Sequence, residues 1–123
     1  MKRDLDLLRK ILLRMEVNHP DQVDTIQWRF SGYEPIIVKE HIKLLIDDGL
    51  LEGNVRLYSN GQINTIHPYR LTPKGHSFLA DIQDETIWNK TKEKIAKSTG
   101  AASLAIVAEV AGAFVRGAIF GDG

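Results

Sequence analysis

The chain has 123 residues, of which 43% are hydrophobic and 26% charged, a composition typical of one globular domain that excludes disordered and fibrous classes. Sixteen Lys and Arg residues balance sixteen Asp and Glu residues, so no long-range field draws the molecule toward nucleic acid or an anionic membrane. The absence of cysteine excludes disulfides, a thiolate nucleophile and a Cys-based zinc site, and it is compatible with a reducing, cytoplasmic location.

The first half of the sequence predicts a helix, a short strand and a second helix. Apolar residues recur at three- and four-residue steps between Arg3 and Glu16, and Pro20 follows the end of that pattern. Aromatic and β-branched residues alternate with polar ones over Ile26–Phe30, which predicts a half-buried strand. Helical spacing resumes from Glu34 to Asp48, where Gly49 is placed to cap the helix.

The second half predicts a β-hairpin followed by helices. Asn60-Gly61 is a strong hairpin signal between a strand that ends near Tyr58 and a strand over Ile63–Leu71. Thr72-Pro73 offers a capping hydroxyl and a proline at the first helical position, so a helix should run from there to Ile82. A further helix follows Asp84, with acids first and bases last, and Ser98-Thr99-Gly100 is the predicted linker.

The order of these elements, with Asp48-Gly49-Leu50-Leu51 before the hairpin and Leu71 to Gly75 after it, resembles the winged-helix superfamily, in which the hairpin is the wing. Three further motifs, Met1 to Leu12, His41 to Ile46 and Thr86 to Lys92, resemble a family of small bacterial and phage-associated proteins, domain of unknown function 2513. That resemblance covers residues 1–98, and it implies a phage or mobile-element origin. The family brings no established site residues to carry over.

Neither the histidines nor the acidic clusters predict a catalytic or metal site. His19 and His67 precede prolines, His41 lies within a helix, and no histidine has a second ligand at helical spacing. The acidic residues cluster at helix ends, where solvated caps are common. We therefore expect structural histidines, no cofactor and no enzymatic activity.

The presumed recognition helix argues against DNA as the main partner. Between Glu34 and Asp48, Lys39 and Lys43 face four acidic residues, and acids repel phosphates. Arg56, Arg70 and Lys74 lie on or just after the hairpin, so a contact led by the wing stays open as the alternative.

Large aromatic side chains could anchor a protein partner, since Trp and Tyr dominate binding hot spots. The candidates are Trp28, Tyr33, Tyr69 and Trp88. The pattern places the two tryptophans facing inward, which favours core packing for both.

The C-terminal segment, residues 101–121, is rich in alanine and glycine and predicts a helix with one apolar stripe and small residues beside it. We expect this stripe to mediate self-association first and docking on its own domain second; it consists of Leu104, Val107, Ala111, Phe114 and Val115. Membrane insertion ranks last, because Glu109 and Arg116 would each cost roughly 2.5 to 3.5 kcal/mol in a bilayer.

Together these features predict an α+β fold: a winged-helix-like domain with its following helix over residues 1–98, and a C-terminal helix over 99–123. The expected function is a non-enzymatic protein-interaction or regulatory module, and the alternative is a winged-helix transcriptional regulator that binds DNA. The distribution of the hairpin bases should separate the two, because a basic face favours DNA and an apolar groove favours protein.

Overall fold

A computed structural model describes residues 3–17, 29–98 and 102–120. Within these ranges the chain forms five α-helices and one antiparallel hairpin, which confirms the predicted α+β class. In chain order the elements are α1 (Leu5–Val17), α2 (Pro35–Asp47), β1 (Leu51–Leu57), β2 (Ile63–Leu71), α3 (Pro73–Ile82), α4 (Glu85–Ser98) and α5 (Leu104–Phe120).

The chain divides into two compact units, residues 1–76 and 77–123. The first unit contains α1, α2, the hairpin and the start of α3, and the second contains the rest of α3 with α4 and α5. The boundary predicted after Ser98 falls inside the second unit, where α4 and α5 pack against each other. Residues 99 and 100 of the predicted linker lie outside the described residues.

Four of the five helices in the described part of the chain begin at a residue whose side chain caps them. In each case a side-chain oxygen accepts a hydrogen bond from the N–H three residues later, at 2.9 to 3.2 Å. This bond satisfies one of the N–H groups that a helix start leaves without a partner. The capping residues are Asp4, Thr72, Asp84 and Ser103.

The end of α2 is a Schellman motif, as Gly49 predicts. The Gly49 N–H donates to Ile46 O at 3.0 Å, and the Leu50 N–H donates to Leu45 O at 2.9 Å. Gly49 has φ of +79°, a conformation that costs glycine least, and it turns the chain directly into β1.

The hairpin has the predicted turn, with Gly61 at φ of +87°. Its register pairs Leu51 with Leu71 and Leu57 with Ile63, so nine residues of β2 span seven of β1. Register shifts near Tyr69 and Asn64 absorb the two extra residues. The ladder therefore twists while Leu51, Ile66 and Leu71 stay on the buried face.

The core of the first unit combines one face of each helix with one face of the hairpin. Helix α1 packs on α2 and on β2, and α2 packs on both strands. The apolar periodicity predicted for α1 is confirmed. Its repeating positions are buried at Leu8, Ile11, Leu12 and Met15, and Leu5 is partly exposed. The buried side chains are Leu7, Leu8, Ile11, Leu12, Met15, Val38, His41, Ile42, Leu45, Leu50, Leu51, Ile63, Ile66 and Leu71.

The second unit buries apolar side chains from all three of its helices. Trp88 is 3% exposed, so its predicted core position is confirmed. Thr91 is a buried polar residue, and its hydroxyl donates to Ile87 O at 2.7 Å within α4. The apolar residues buried here are Phe78, Leu79, Ile82, Trp88, Ile95, Leu104, Val107 and Ala111.

The strand predicted over Ile26–Phe30 falls mostly outside the described residues, as does the inward position predicted for Trp28. Arg29 and Phe30, which are described, are not part of a strand. The described sheet consists of β1 and β2 alone.

Candidate functional site

Three of the five bases predicted to contact DNA or a partner have partners within their own unit. Arg70 forms a two-pronged ion pair with Glu52 across the hairpin, with both N–O distances at 2.8 Å. Lys43 lies 2.6 Å from a carboxylate oxygen of Asp47, one turn along α2. In both pairs the acid offsets the charge of the base, which lowers its attraction for phosphate.

The third base, Lys74, completes the end of α2. Its ammonium donates to Asp48 O at 3.0 Å, and the Thr72 hydroxyl donates to Gly49 O nearby. A cation beside the last carbonyls of a helix is favoured by the helix dipole. Lys74 therefore holds the start of α3 against the end of α2.

The other two predicted bases differ in exposure. Arg56 is exposed on the outer face of the hairpin, whereas Lys39 is half-buried on α2. Within the described ranges, neither has an acidic group within ion-pair distance. The structure thus gives two of the five predicted bases, Lys43 and Arg70, a neutralising acid, and it gives Lys74 a backbone carbonyl. Lys39 and Arg56, the other two, lie on different elements.

Two basic side chains of α1, those of Arg14 and Lys10, contact the aromatic rings of Phe30 and Tyr33. The guanidinium of Arg14 lies 4.0 Å from the centre of the Phe30 ring and donates to Arg29 O at 3.0 Å. Lys10 lies 5.7 Å from the centre of the Tyr33 ring. These cation–π contacts give the basic side of α1 a structural role.

The N-terminus of α1 is tied to α2 through the buried His41, a cluster that the sequence analysis did not predict. The Asp4 N–H donates to His41 Nε2 at 2.9 Å, and His41 Nδ1 lies 2.8 Å from Ile37 O. A carbonyl only accepts and an amide N–H only donates, so the proton of the neutral ring is on Nδ1. Both ring nitrogens therefore have partners within the chain.

Asp4 also binds Tyr33. The Tyr33 hydroxyl donates to Asp4 Oδ2 at 2.9 Å, while Asp4 Oδ1 caps α1. Burial, followed by this hydrogen bond and the negative charges of Asp4 and Asp6, raises the pKa of Tyr33 to about 12. Tyr33 therefore secures the chain between the two helices as a neutral phenol.

The two other histidines within the described ranges share no site with each other or with His41. His67 and His76 are exposed, and His19 lies outside the described residues. No three histidine or acidic side chains of the described ranges come together as a metal would require.

The outward side of α2 carries a surface that sequence reasoning did not identify. Ile36 is 41% exposed, and Glu40, Lys43, Leu44 and Asp47 follow it at helical spacing. The last four residues line a shallow, open depression of about 240 Å³. We call these five residues the α2 surface.

Charge on and around the α2 surface is negative. From residue 34 to 48 two lysines face four acids, and one of those lysines is paired with Asp47. The sequence reveals this charge and the two apolar positions, Ile36 and Leu44. Their periodicity does not show that they point away from the core.

Exposed apolar side chains also occur on the hairpin. Leu57 and Tyr58, next to the turn, are 50% and 54% exposed, and Tyr69 is 42% exposed at its register shift. Tyr69 is thus available to a partner, as the sequence analysis considered, whereas Tyr33 is engaged by Asp4.

The predicted oligomerisation stripe of α5 lies largely inside its own unit. Leu104, Val107 and Ala111 are 5%, 0% and 0% exposed, and Phe114 and Val115 are half-buried. Helix α4 packs against α5, so docking on the same chain already covers this stripe. Among the described residues, no helix has both the length and the apolar character needed to cross a membrane.

Comparisons with known proteins agree with the resemblance noted in the sequence. Residues 2–102 match a family described as hypothetical protein, DUF2513, a range that includes α1 to α4 and ends before α5. A protein of Haemophilus influenzae described as an uncharacterized protein is 33% identical over 111 residues, covering 90% of this chain and 92% of that protein. No solved structure matches the chain. The extent of the family match and the identity to this relative show that the chain belongs to the DUF2513 family.

Proposed function

We propose that this protein is a non-enzymatic interaction module of regulatory type that binds a protein partner through the α2 surface. The observation that carries the proposal is the exposure of Ile36, with the half-buried Leu44 on the same side among acidic side chains, on the helix that would read DNA in a winged-helix domain. We place this interaction in the cytoplasm, in keeping with the absence of cysteine.

Charge makes a protein partner a better fit than DNA. Phosphate contacts supply most non-specific DNA affinity, and their electrostatic part comes from Lys and Arg side chains that neutralise phosphates. Lys43 and Arg70 are neutralised by Asp47 and Glu52, and the exposed acids of α2 would face phosphates. Binding phosphate with Lys43 or Arg70 would therefore require breaking an ion pair, which leaves Lys39 as the base of α2 without such a cost.

The chemistry of the α2 surface suggests the class of partner. A shallow depression lined by Leu44, with the exposed Ile36 two turns earlier on the same side of α2, fits the apolar face of an amphipathic helix. The net negative charge of Glu40, Lys43 and Asp47 favours lysine or arginine beside that face. We propose a basic, amphipathic protein segment as the ligand.

Two synthetic helical peptides test this proposal. One is an amphipathic helix with leucine on one face and lysine on the other, and the second has glutamate in place of every lysine. Binding is followed by fluorescence anisotropy at low salt. We expect the lysine peptide to bind and the glutamate peptide not to bind. Equal binding of both peptides would contradict the proposal, because charge would then play no part.

Three variants locate the binding site. Glu40→Lys and Ile36→Ser should each weaken binding of the lysine peptide about tenfold or more, since one introduces repulsion and the other removes apolar contact. Glu85→Lys on α4 is the matched control, because it makes the same charge change at an exposed residue of the other unit. If Glu85→Lys weakens binding as much as Glu40→Lys, the peptide senses net charge and the α2 surface is not its site.

A DNA-binding winged helix is the second candidate, and it rests on Arg56. This side chain is exposed on the outer face of the hairpin, where Asn54 and His67 occupy the neighbouring paired positions. Random duplex DNA at low salt tests it, with Arg56→Ala as the variant. A salt-sensitive complex that Arg56→Ala abolishes would favour this candidate over the protein-binding one.

A further inference from the structure

Apart from Glu109 and Arg116, helix α5 is apolar on the side that its own chain leaves exposed, as well as on the side that it buries. Ile106 is 45% exposed, and Ala105, Ala113 and Gly117 are also exposed. A helix that is apolar all round normally has protein on every side. The exposed apolar surface of α5 is therefore a candidate for contact with another protein chain.

The exposed side has the spacing of a helix–helix seam. Ile106, Glu109, Ala113 and Arg116 follow one another at steps of three, four and three residues, the pattern of a and d positions in a coiled coil. Glu109 and Arg116 are its only charged residues, and they have opposite signs. We call these four residues the α5 seam.

We propose that the α5 seam binds the same seam of a second copy of this chain, with the two helices antiparallel. An antiparallel pairing whose two-fold axis passes between residues 112 and 113 sets Glu109 of each copy against Arg116 of the other. A parallel pairing would set Glu109 against Glu109 and Arg116 against Arg116, and like charges at those positions repel. The charges of Glu109 and Arg116 therefore favour a second copy of the same seam as the partner, and they favour the antiparallel direction of the two helices.

The centre of the seam also fits a close antiparallel contact. Ala113 lies between the two charged positions, and Gly117 lies one turn further on the same side. Small residues at a crossing let two helix backbones approach closely, so the apolar area of α5 can be covered along much of its length of about 25 Å.

This seam differs from the stripe that periodicity favoured for self-association. Leu104, Val107 and Ala111 are buried within one chain and lie on the opposite side of α5. The dimer is also independent of the proposed function, because the seam is in the second unit and the α2 surface is in the first.

Charge reversal tests the dimer on the full chain. We expect light scattering at the highest soluble concentration to give twice the chain mass of 13.8 kDa. Glu109→Arg and Arg116→Glu should each raise the dissociation constant of the dimer about tenfold or more, and the double variant should restore the wild-type value. Glu85→Lys is the control variant and should leave the dimer unchanged, while circular dichroism checks folding of each variant.

Cysteine cross-linking tests the direction of the helices, since the chain has no cysteine of its own. In an antiparallel pair, Ala113→Cys is near the two-fold axis and should form a disulfide between copies, whereas Ile106→Cys should not. In a parallel pair both variants would cross-link, which would overturn the antiparallel arrangement. A wild-type chain that stays monomeric, or a double variant that fails to restore the dimer while remaining folded, would overturn the proposal as a whole.

Discussion

Replacing Gly75 by alanine should damage the first unit, although the same change usually stabilises a helix. Gly75 lies in the first turn of α3, directly over the backbone of Leu50. An alanine Cβ at this position would overlap Leu50 O and would lie 3.0 Å from Leu50 C. The obstacle is backbone, so no side-chain rotation can relieve the overlap.

The expected change in the free energy of unfolding combines one stabilising contribution with two destabilising ones. Alanine in place of glycine favours a helix by up to about 1 kcal/mol. Overpacking costs about 1 to 3 kcal/mol or more, and displacing Leu50 also weakens the hydrogen bond from the Thr72 N–H to Leu50 O, now 3.1 Å, which contributes about 1 kcal/mol. We therefore expect Gly75→Ala to lower the free energy of unfolding by about 1 to 3 kcal/mol.

Gly112→Ala is the matched control, because it makes the same change in the middle of α5. There an alanine Cβ would meet the end of the Arg116 side chain, whose Nη1 is 3.2 Å away and can move aside. The expected result is a gain of about 0.5 to 1 kcal/mol. Urea unfolding followed by circular dichroism measures both variants, and a Gly75→Ala protein as stable as wild type would refute the close approach of α3 to Leu50.

Three further predictions concern the first unit. Long-range ¹H–¹⁵N spectra should show His41 as the Nδ1–H tautomer, and a proton on Nε2 would contradict its bond from the Asp4 N–H. Absorbance titration should show one tyrosine with a midpoint near pH 12 that Tyr33→Phe removes; because folding raises this pKa, its contribution to stability is complete below pH 10 and is lost as pH rises toward 12. Arg70→Ala should cost no more than about 1 kcal/mol of stability, since its pair with Glu52 is exposed, and a larger loss in urea unfolding would disagree with that view.

Local sequence signals predicted much of the fold. The caps at Thr72 and Gly49 and the turn at Asn60-Gly61 each rely on residues a few positions apart, and the structure has all three where the sequence places them. Local signals do not specify contacts between distant residues. His41 accepts a hydrogen bond from the N–H of Asp4, 37 positions away, and neither the residue types nor their spacing predicts that bond.

Because local signals do not specify tertiary contacts, the sequence also does not show which predicted bases remain free to bind phosphate. Sequence reasoning counts Lys43, Arg70 and Lys74 as positive charges, but folding places an acid or a helix end beside each of them. Affinity for phosphate depends on the charge left after such pairing, so a count of bases overstates the case for DNA.

Helix α5 shows why an apolar stripe does not identify what covers it. Periodicity locates Leu104, Val107 and Ala111 on one side of the helix, and it would do so equally for a helix docked on its own chain and for one docked on another. Only the fold decides, and it buries these residues within one chain. The face that remains for a partner is then on the opposite side of α5, where charge signs and small residues say more about the partner than hydrophobicity does.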